Sequence, residues 1–341
     1  MTECDGRVVV ALAQMHPLFL VWGSPYRGPR SLVLARELGI SDLHYVYCTS
    51  RQGLLSALFK YPYQAIRTAW LLLRKHPGLV FVQSPPSLAV IVVYLYCRLT
   101  GARYVVDAHS AAFLYAAWRR PEFLYRHLAR KALATIVTNE HFQSVIRHWG
   151  ARAFVLRDIP TVFSTQGQYS LNGRFNIVVV SSFSQDEPLR DILTAASQLP
   201  QVHFYISGDK QSAPRELLDS APANVHFTGF LPNDRYYSLL SAAQAIMSLT
   251  TRNNTMQRGA CEALSIGKPV IVSDWPLLRD YFSSGAVHVQ NTETGILDGV
   301  LTLKRQYDRY LAEITQLRAS RQREWQEKKL ALTRLIQSTT L

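Results

Sequence analysis

"LTTRNNTMQRGACEALSIGKPVIVSDW", residues 249–275, joins a polar cluster to a short helical pattern and then to an apolar, strand-like run. Met256, Ala260, Ala263 and Leu264 recur at i, i+4, i+7 and i+8, an apolar stripe suited to packing on a sheet, so the pattern predicts a helix over residues 255–266. Gly267 suits the left-handed position that closes a helix, and Pro269 cannot continue one. "KPVIVSD" then reads as a strand.

The opposite face of that helix carries Thr255, Arg258 and Glu262, with Gly259 on its border. A glycine in mid-helix costs about 1 kcal/mol relative to alanine, so its expected use is to let a ligand approach the backbone. Free N–H groups at a helix start, beside Thr255 and Arg258, favour phosphate. Glu262 lies two turns in, about 10 Å along the axis, within reach of the ribose hydroxyls of a nucleotide whose diphosphate sits at the helix start.

The same alternation of short apolar runs and helical segments fills most of the chain, which predicts an α/β fold of parallel sheets with helices on both faces. In the first half, strands are expected at "RVVVALA", "DLHYVY", "LVFVQ", "RYVVDA" and "TIVTN", with helices near 30–38, 60–75, 86–99 and 121–133. "STQGQYSLNGR", residues 164–174, has turn residues and no periodicity and reads as a linker. Strands then resume at "NIVVVSS", "VHFYISGD", "VHFTGF", "AIMSLT", "PVIVSD" and "AVHV", with helices near 189–198, 215–220, 234–243 and 255–266. A charged helical segment over 296–337 ends the chain. The expected division is 1–163 for a first doubly wound domain, 164–174 for the linker, 175–303 for a second domain and 304–341 for a basic helical tail. Two such domains would face each other across a ligand-binding cleft, beyond the carboxyl ends of the strands.

A chain of 341 residues with 48% hydrophobic and 18% charged content supports two globular domains, and it contains no heptad run or short repeat. Cys4, Cys48, Cys97 and Cys261 are scattered, without a C-x-x-C pair, so neither a disulfide framework nor a metal site is expected. The start "MTECDGRVVVALAQMHP" lacks the basic head and cleavage site of a signal peptide, which favours a cytoplasmic location. "LAVIVVYLYC" is about half the length that crosses a bilayer and is expected to be a buried helix. Net charge is +13, distributed as +11 over 1–160, −3 over 161–303 and +5 over 304–341, so the first domain is expected to face an anionic partner.

The second half resembles the nucleotide-binding domain of GT-B glycosyltransferases of the family-4 kind over about 130 residues, with "NIVVVSSFSQDEPLRDILTAASQLPQVHFYISGDK", "NVHFTGFLPNDRYYSLLSAAQAIMSLTT" and "GACEALSIGKPVIVSD" following that family's order and spacing. The resemblance implies transfer of a sugar from a nucleotide-diphosphate donor, with no cofactor and no metal. It makes Glu262 the ribose ligand and places Gly229 and Phe230 by the base; Gly208, Met256, Thr255, Asn254 and Ser182 are also expected around the donor. Two departures stand out. The first of the family's paired glutamates falls on Asn254, and its G-R-x-x-x-x-K-G phosphate signature falls on "SSFSQDEP", with Ser182 for arginine and Glu187 for lysine. Arg252, Arg258 or Lys268, or the helix start itself, would then have to meet the diphosphate. "S-F-x-x-D-E-P" and "SPPS" at 84–87 look like the related mannosyltransferases that act on lipid-linked chitobiose.

In the first domain, "RYVVDAHSAAF" sets Asp107 and His109 at the end of a strand, and either could take a proton from an acceptor hydroxyl. The segments 16–31 and 115–131 mix aromatic and basic residues, and Trp22, Arg27, Arg30, Trp118, Arg119 and Arg120 are the expected contacts to a lipid-linked acceptor and an anionic membrane surface. No nucleic-acid-binding motif is present in the sequence. The expectation is thus a peripheral, cytoplasmic-face glycosyltransferase of polysaccharide or glycolipid assembly. A nucleotide-sugar epimerase or hydrolase, or a non-catalytic nucleotide-sugar binder, would share the same donor domain.

Overall fold

The computed structural model describes residues 14–24, 29–49, 53–114, 121–158, 160–161, 163 and 168–338. The chain forms two compact units, one of Met1–Asp158 with Trp325–Leu341 and one of Ile159–Glu324. The expected boundaries lay at 163 and 303. The stretch 168–174 belongs to the second unit, where Tyr169 and Leu171 pack against its core and Asn172 N donates to Tyr205 Oη at 2.6 Å.

Unit 1 is a six-stranded sheet of β1 (Pro17–Val21), β2 (Asp42–Tyr45), β3 (Leu79–Ser84), β4 (Arg103–Ala108), β5 (Ala134–Val137) and β6 (Ala153–Val155), ordered β2-β1-β3-β4-β5-β6 and parallel throughout. Its helices are α1 (Pro29–Glu37), α2 (Leu54–Lys75), α3 (Ser87–Thr100), α4 (Ala111–Leu114), α5 (Glu122–Lys131) and α6 (Glu140–His148). Leu18, Leu20, Val80 and Val82 meet Ala89, Val90 and Val93 of α3 on one face, while Phe19 stacks on Phe81 on the other. Such double-sided burial explains why the strands read as unbroken apolar runs.

"RVVVALA" lies outside the described residues. The strand seen at this end of the sheet is "PLFLV", which the sequence suggests is a loop because it is flanked by proline and glycine. Its burial between two neighbours makes it a central strand instead. Asn139 caps α6, another element missing from the sequence expectations, by accepting from Phe142 N at 2.9 Å. The apolar run in α3 is buried on one side only, with Leu88 and Leu95 exposed.

Unit 2 holds β7 (Asn176–Val180), β8 (His203–Ser207), β9 (Val225–Gly229), β10 (Ala245–Ser248), β11 (Val270–Ser273) and β12 (Ala286–Val289), all parallel in the order β12-β11-β10-β7-β8-β9. All six strands fall where the sequence places them. The helices are α7 (Leu189–Ser197), α8 (Arg215–Asp219), α9 (Asn233–Ala242), α10 (Arg258–Ile266), α11 (Pro276–Tyr281) and α12 (Glu293–Arg305). The last helix, α13 (Tyr307–Ser338), follows a break at Gln306. Its end belongs to unit 1, where Lys329 Nζ lies 4.0 Å from Glu37 of α1.

Candidate functional site

Unit 2 winds from β7 outward through β8 and β9, then returns to place β10 on the other side of β7. The loops beyond the carboxyl ends of β7 and β10 therefore line the switch point where open α/β sheets bind ligands. Asp186 ties these loops together. Its carboxylate accepts from Thr250 Oγ1 at 2.8 Å and lies 3.3 Å from Arg252 Nη2, while its carbonyl accepts from Thr251 N at 2.7 Å. Arg252 is thus engaged within the protein.

Asn254 takes the left-handed conformation (φ 59°), and the helix begins at Arg258 rather than 255 because Gln257 is still extended (φ −83°, ψ 120°). No side chain caps α10, so its start remains an anion-favouring end. Thr255 Oγ1, just ahead of it, is buried and has no hydrogen-bond partner among the described residues. A buried hydroxyl in that state is stabilised by any ligand that supplies a partner. Met256 lies partly buried against the core under α10.

Glu262 is 5% exposed, not a surface charge. Oε2 accepts from Tyr236 Oη at 2.6 Å and Oε1 from Arg258 Nε at 2.8 Å. Burial and the Glu262 charge hold the Tyr236 hydroxyl well above the usual tyrosine range, so it remains a donor. A carboxylate offers about four acceptor sites, and these two donors leave room for ribose hydroxyls. Tyr236, from α9, was not expected from sequence; "NDRYYSLL" shows only ordinary helix-former spacing.

Three expectations need correction. Gly259 is not open to a ligand: a Cβ there would lie 2.6 Å from Val180 Cβ and 3.0 Å from Ser248 Oγ, so glycine serves close packing of α10 on the sheet. Arg258 is paired with Glu262 rather than free for phosphate. Lys268 follows the C-terminal end of α10, about 15 Å along the helix from its start, so it is at the wrong end to meet a diphosphate there.

The loop after β7 departs furthest from the family pattern. The Glu187 carboxylate accepts from Ser181 Oγ at 2.5 Å, Ser182 Oγ at 2.7 Å, and the backbone N–H groups of Ser182 and Phe183 at 3.0 Å. Phe183 is left-handed (φ 56°), which turns successive N–H groups inward. The chain's own carboxylate thus fills an anion-binding turn. Gly208 (φ 137°) backs this turn, its α-carbon so close that a Cβ would come within 2.5 Å of the Ser181 carbonyl oxygen. Gly229 (φ 75°) ends β9 beside it, with Gly208 N donating to Gly229 O at 3.4 Å, and Phe230 is 77% exposed.

In unit 1, Asp107 at the end of β4 is fully buried. Its Oδ1 lies 3.5 Å from Arg30 Nη2 and its Oδ2 3.0 Å from His109 Nε2. Burial acts to raise the Asp107 carboxyl, but Arg30 and His109 outweigh it and hold it below the usual range. An enclosed, acidified carboxylate is a poor proton acceptor. His109, a quarter exposed, is the better placed of the two, and Asp107 orients its ring.

Arg30 also binds Asp158 and donates to the Leu156 carbonyl at 2.9 Å, which makes it the centre of a buried ion cluster rather than a membrane contact. Trp22 is likewise buried, its Nε1 donating to Thr68 Oγ1 at 2.8 Å. Arg27, Trp118, Arg119 and Arg120 lie outside the described residues.

Residues 174–317 match the family model described as "Glycosyl transferases group 1". The match lies within unit 2 and spans 144 of the 341 residues. Curated protein sequences show no match to the chain. Among solved structures, it is similar to sucrose-phosphate synthase from Thermosynechococcus elongatus, with 14% identity, TM-score 0.72, and 95% of this chain and 99% of that one covered. It is also similar to Anabaena HepE in complex with UDP and glucose, with 15% identity, TM-score 0.69, and coverage of 96% and 99%. A third is UDP-GlcNAc 2-epimerase from Methanocaldococcus jannaschii, with 11% identity, TM-score 0.54, and coverage of 84% and 92%. These likenesses establish the two-unit α/β fold expected from the sequence.

Proposed function

We propose that the protein transfers a hexosyl group from a nucleoside-diphosphate sugar to a hydroxyl of a lipid-linked glycan acceptor, at the cytoplasmic face of a membrane, in polysaccharide or glycolipid assembly. The observation that carries the donor half is the start of α10. An uncapped helix end, the unpartnered buried Thr255 hydroxyl and the buried Glu262 carboxylate about one turn in, roughly 6 Å along the axis, together suit a diphosphate followed by a ribose.

In the reaction, the bond from the anomeric carbon to the diphosphate oxygen breaks and a bond from that carbon to the acceptor oxygen forms. The diphosphate leaves with the bonding pair, stabilised by the α10 dipole and the Thr255 hydroxyl. The acceptor proton goes to His109 in an inverting transfer; in a retaining one it goes to the leaving phosphate, and His109 would hydrogen-bond the sugar. Likeness to HepE in complex with UDP and glucose favours a UDP-linked donor. The lipid-linked acceptor rests on the "S-F-x-x-D-E-P" and "SPPS" segments that look like the lipid-linked chitobiose mannosyltransferases, and on the +11 charge of residues 1–160.

Two observations favour other outcomes. Epimerase-like solved structures share the fold, and the Glu187 carboxylate occupies donors that a phosphate would otherwise use. A thermal-shift screen with UDP-, GDP-, dTDP- and CMP-linked sugars tests the proposal. One nucleotide class is expected to raise Tm with a ligand-concentration dependence. No shift with any of them would refute donor binding, and nucleotide release independent of an added acceptor would favour an epimerase or hydrolase.

A further inference from the structure

Helix α2 is apolar on its solvent side as well as on the side that packs on the core. Its inward side is already packed: Leu72 is fully buried and Tyr61, Ala65 and Leu71 lie against the core, while the buried Gln64 and Thr68 are satisfied, Gln64 Nε2 donating to the Val46 carbonyl at 2.7 Å and Thr68 Oγ1 accepting from Trp22. Its outward side is apolar, with Leu55, Leu58, Phe59, Ile66, Trp70 and Leu73 between 48% and 79% exposed. At about 100° per residue these six fall within an arc of roughly 120°, along about 27 Å of helix.

The neighbouring α3, which packs against α2, adds Leu88, Leu95 and Leu99 at i, i+7 and i+11, exposed by 43%, 54% and 85%. Singly exposed apolar residues need no explanation; a contiguous row over two packed helices does.

Charge identifies the occupant. Neither helix contains an Asp or Glu, whereas α2 carries Lys60, Arg67, Arg74 and Lys75 and α3 carries Arg98. Arg67 and Arg74 border the apolar arc and flank Trp70, their guanidinium carbons 5.3 and 5.1 Å from its ring. Beside them a cavity of about 100 Å³ is lined by Tyr45, Tyr63, Arg67 and Trp70. The Tyr45 hydroxyl is buried there without a hydrogen-bond partner among the described residues.

A second copy of the chain is a poor fit, because a two-fold contact would set this cationic border against itself with no acid to pair. A bilayer suits every part: acyl chains take the leucine row, Trp70 sits at headgroup depth, and lipid phosphates meet Arg67, Arg74 and the Tyr45 hydroxyl. Helix α2 would lie in the interface, since no helix among the described residues is long and apolar enough to cross a membrane.

We propose that the outward face of α2 and α3 docks the protein on an anionic lipid bilayer. This deepens the membrane-facing part of the proposed function and rests on it, while replacing Trp22 and Arg30 as the contacts.

The experiment is flotation of the full-length protein with phosphatidylcholine vesicles, with and without phosphatidylglycerol, at two salt concentrations. Wild-type protein is expected to float with the anionic vesicles and to be released by salt. The Phe59→Ser/Ile66→Ser double variant, which alters only exposed side chains, is expected to lose most of this binding, and Arg67→Gln and Arg74→Gln to weaken it about fivefold each. Absence of wild-type binding, or equal binding by the double variant, would overturn the proposal. So would a dimer in lipid-free light scattering that the double variant abolishes. Nucleotide-sugar thermal shifts on the same samples separate the readings: a donor shift without vesicle binding overturns docking alone, and vesicle binding without a donor shift overturns the donor site alone.

Discussion

Glu187→Gln tests whether the turn after β7 faces the phosphates of a donor. The substitution preserves shape but removes the charge and one acceptor from a carboxylate that holds Ser181, Ser182 and Phe183. Charge-assisted hydrogen bonds are worth about 1.5–3 kcal/mol each when enclosed, but Ser182 is exposed and water replaces part of that, so the expected net loss is about 1–2 kcal/mol. For a unit of this size each kcal/mol lowers Tm by about 2–4 °C, giving a drop of about 2–8 °C. Donor affinity should move in the opposite direction. A charge roughly 6 Å from a phosphate repels it by about 0.7 kcal/mol in water and about 2.8 kcal/mol at an effective dielectric constant of 20. Removal of Glu187 is therefore expected to tighten binding about three- to a hundredfold, and Glu187→Lys further still. Calorimetric titration with the nucleotide sugar that gives the largest thermal shift measures this at fixed salt. Lower stability with unchanged or weaker donor affinity would refute the reasoning and remove this turn from the donor site.

Two further outcomes follow from the packing. Asp107→Asn leaves the largely buried Arg30 with Asp158 as its one carboxylate partner, so unit 1 is expected to lose about 3 kcal/mol at neutral pH while the donor thermal shift persists. Because the folded Asp107 carboxyl titrates below its usual value, its contribution is present above the unfolded value near 4 and disappears as pH falls through the folded one; the difference between variant and wild type in urea unfolding should shrink accordingly. Gly259→Ala forces a methyl against Val180 and is expected to cost about 1–3 kcal/mol in the same assay.

The strands of unit 2 were legible because parallel strands covered on both faces appear as short apolar runs between turn residues. β1 was not, since "PLFLV" begins on a proline and is followed by turn residues, and only its place between β2 and β3 marks it as central. Glu262 stood out through its position on a helix face, but its burial and its bond to Tyr236 come from α9 packing across α10, a contact between residues 26 apart that no local pattern records. The same applies to Arg30, whose partners Asp107 and Asp158 are brought together by β4 and the segment after β6. Glu187 shows the limit of reading by substitution: the sequence reveals a missing lysine, whereas the fold shows that the replacement carboxylate binds its own turn. The outward apolar row of α2 was not legible because a helical apolar stripe is ordinarily a core face and this helix has apolar residues on both sides; the burial of Leu72 and the partners of Gln64 and Thr68 reveal which side faces the sheet.

Donor binding at α10 is tested most directly by titrating wild-type protein and Glu262→Gln with a nucleotide sugar and its 2′-deoxyribose analogue, with melting curves to verify that both proteins are folded. Loss of a hydrogen bond from a ribose hydroxyl to the carboxylate is worth about 1.5–3 kcal/mol, so wild type should bind the ribose form about 10- to 100-fold more tightly than the deoxy form, and Glu262→Gln should lose most of that preference. Equal discrimination by the two proteins, or no discrimination by wild type, would contradict a ribose-binding role for Glu262.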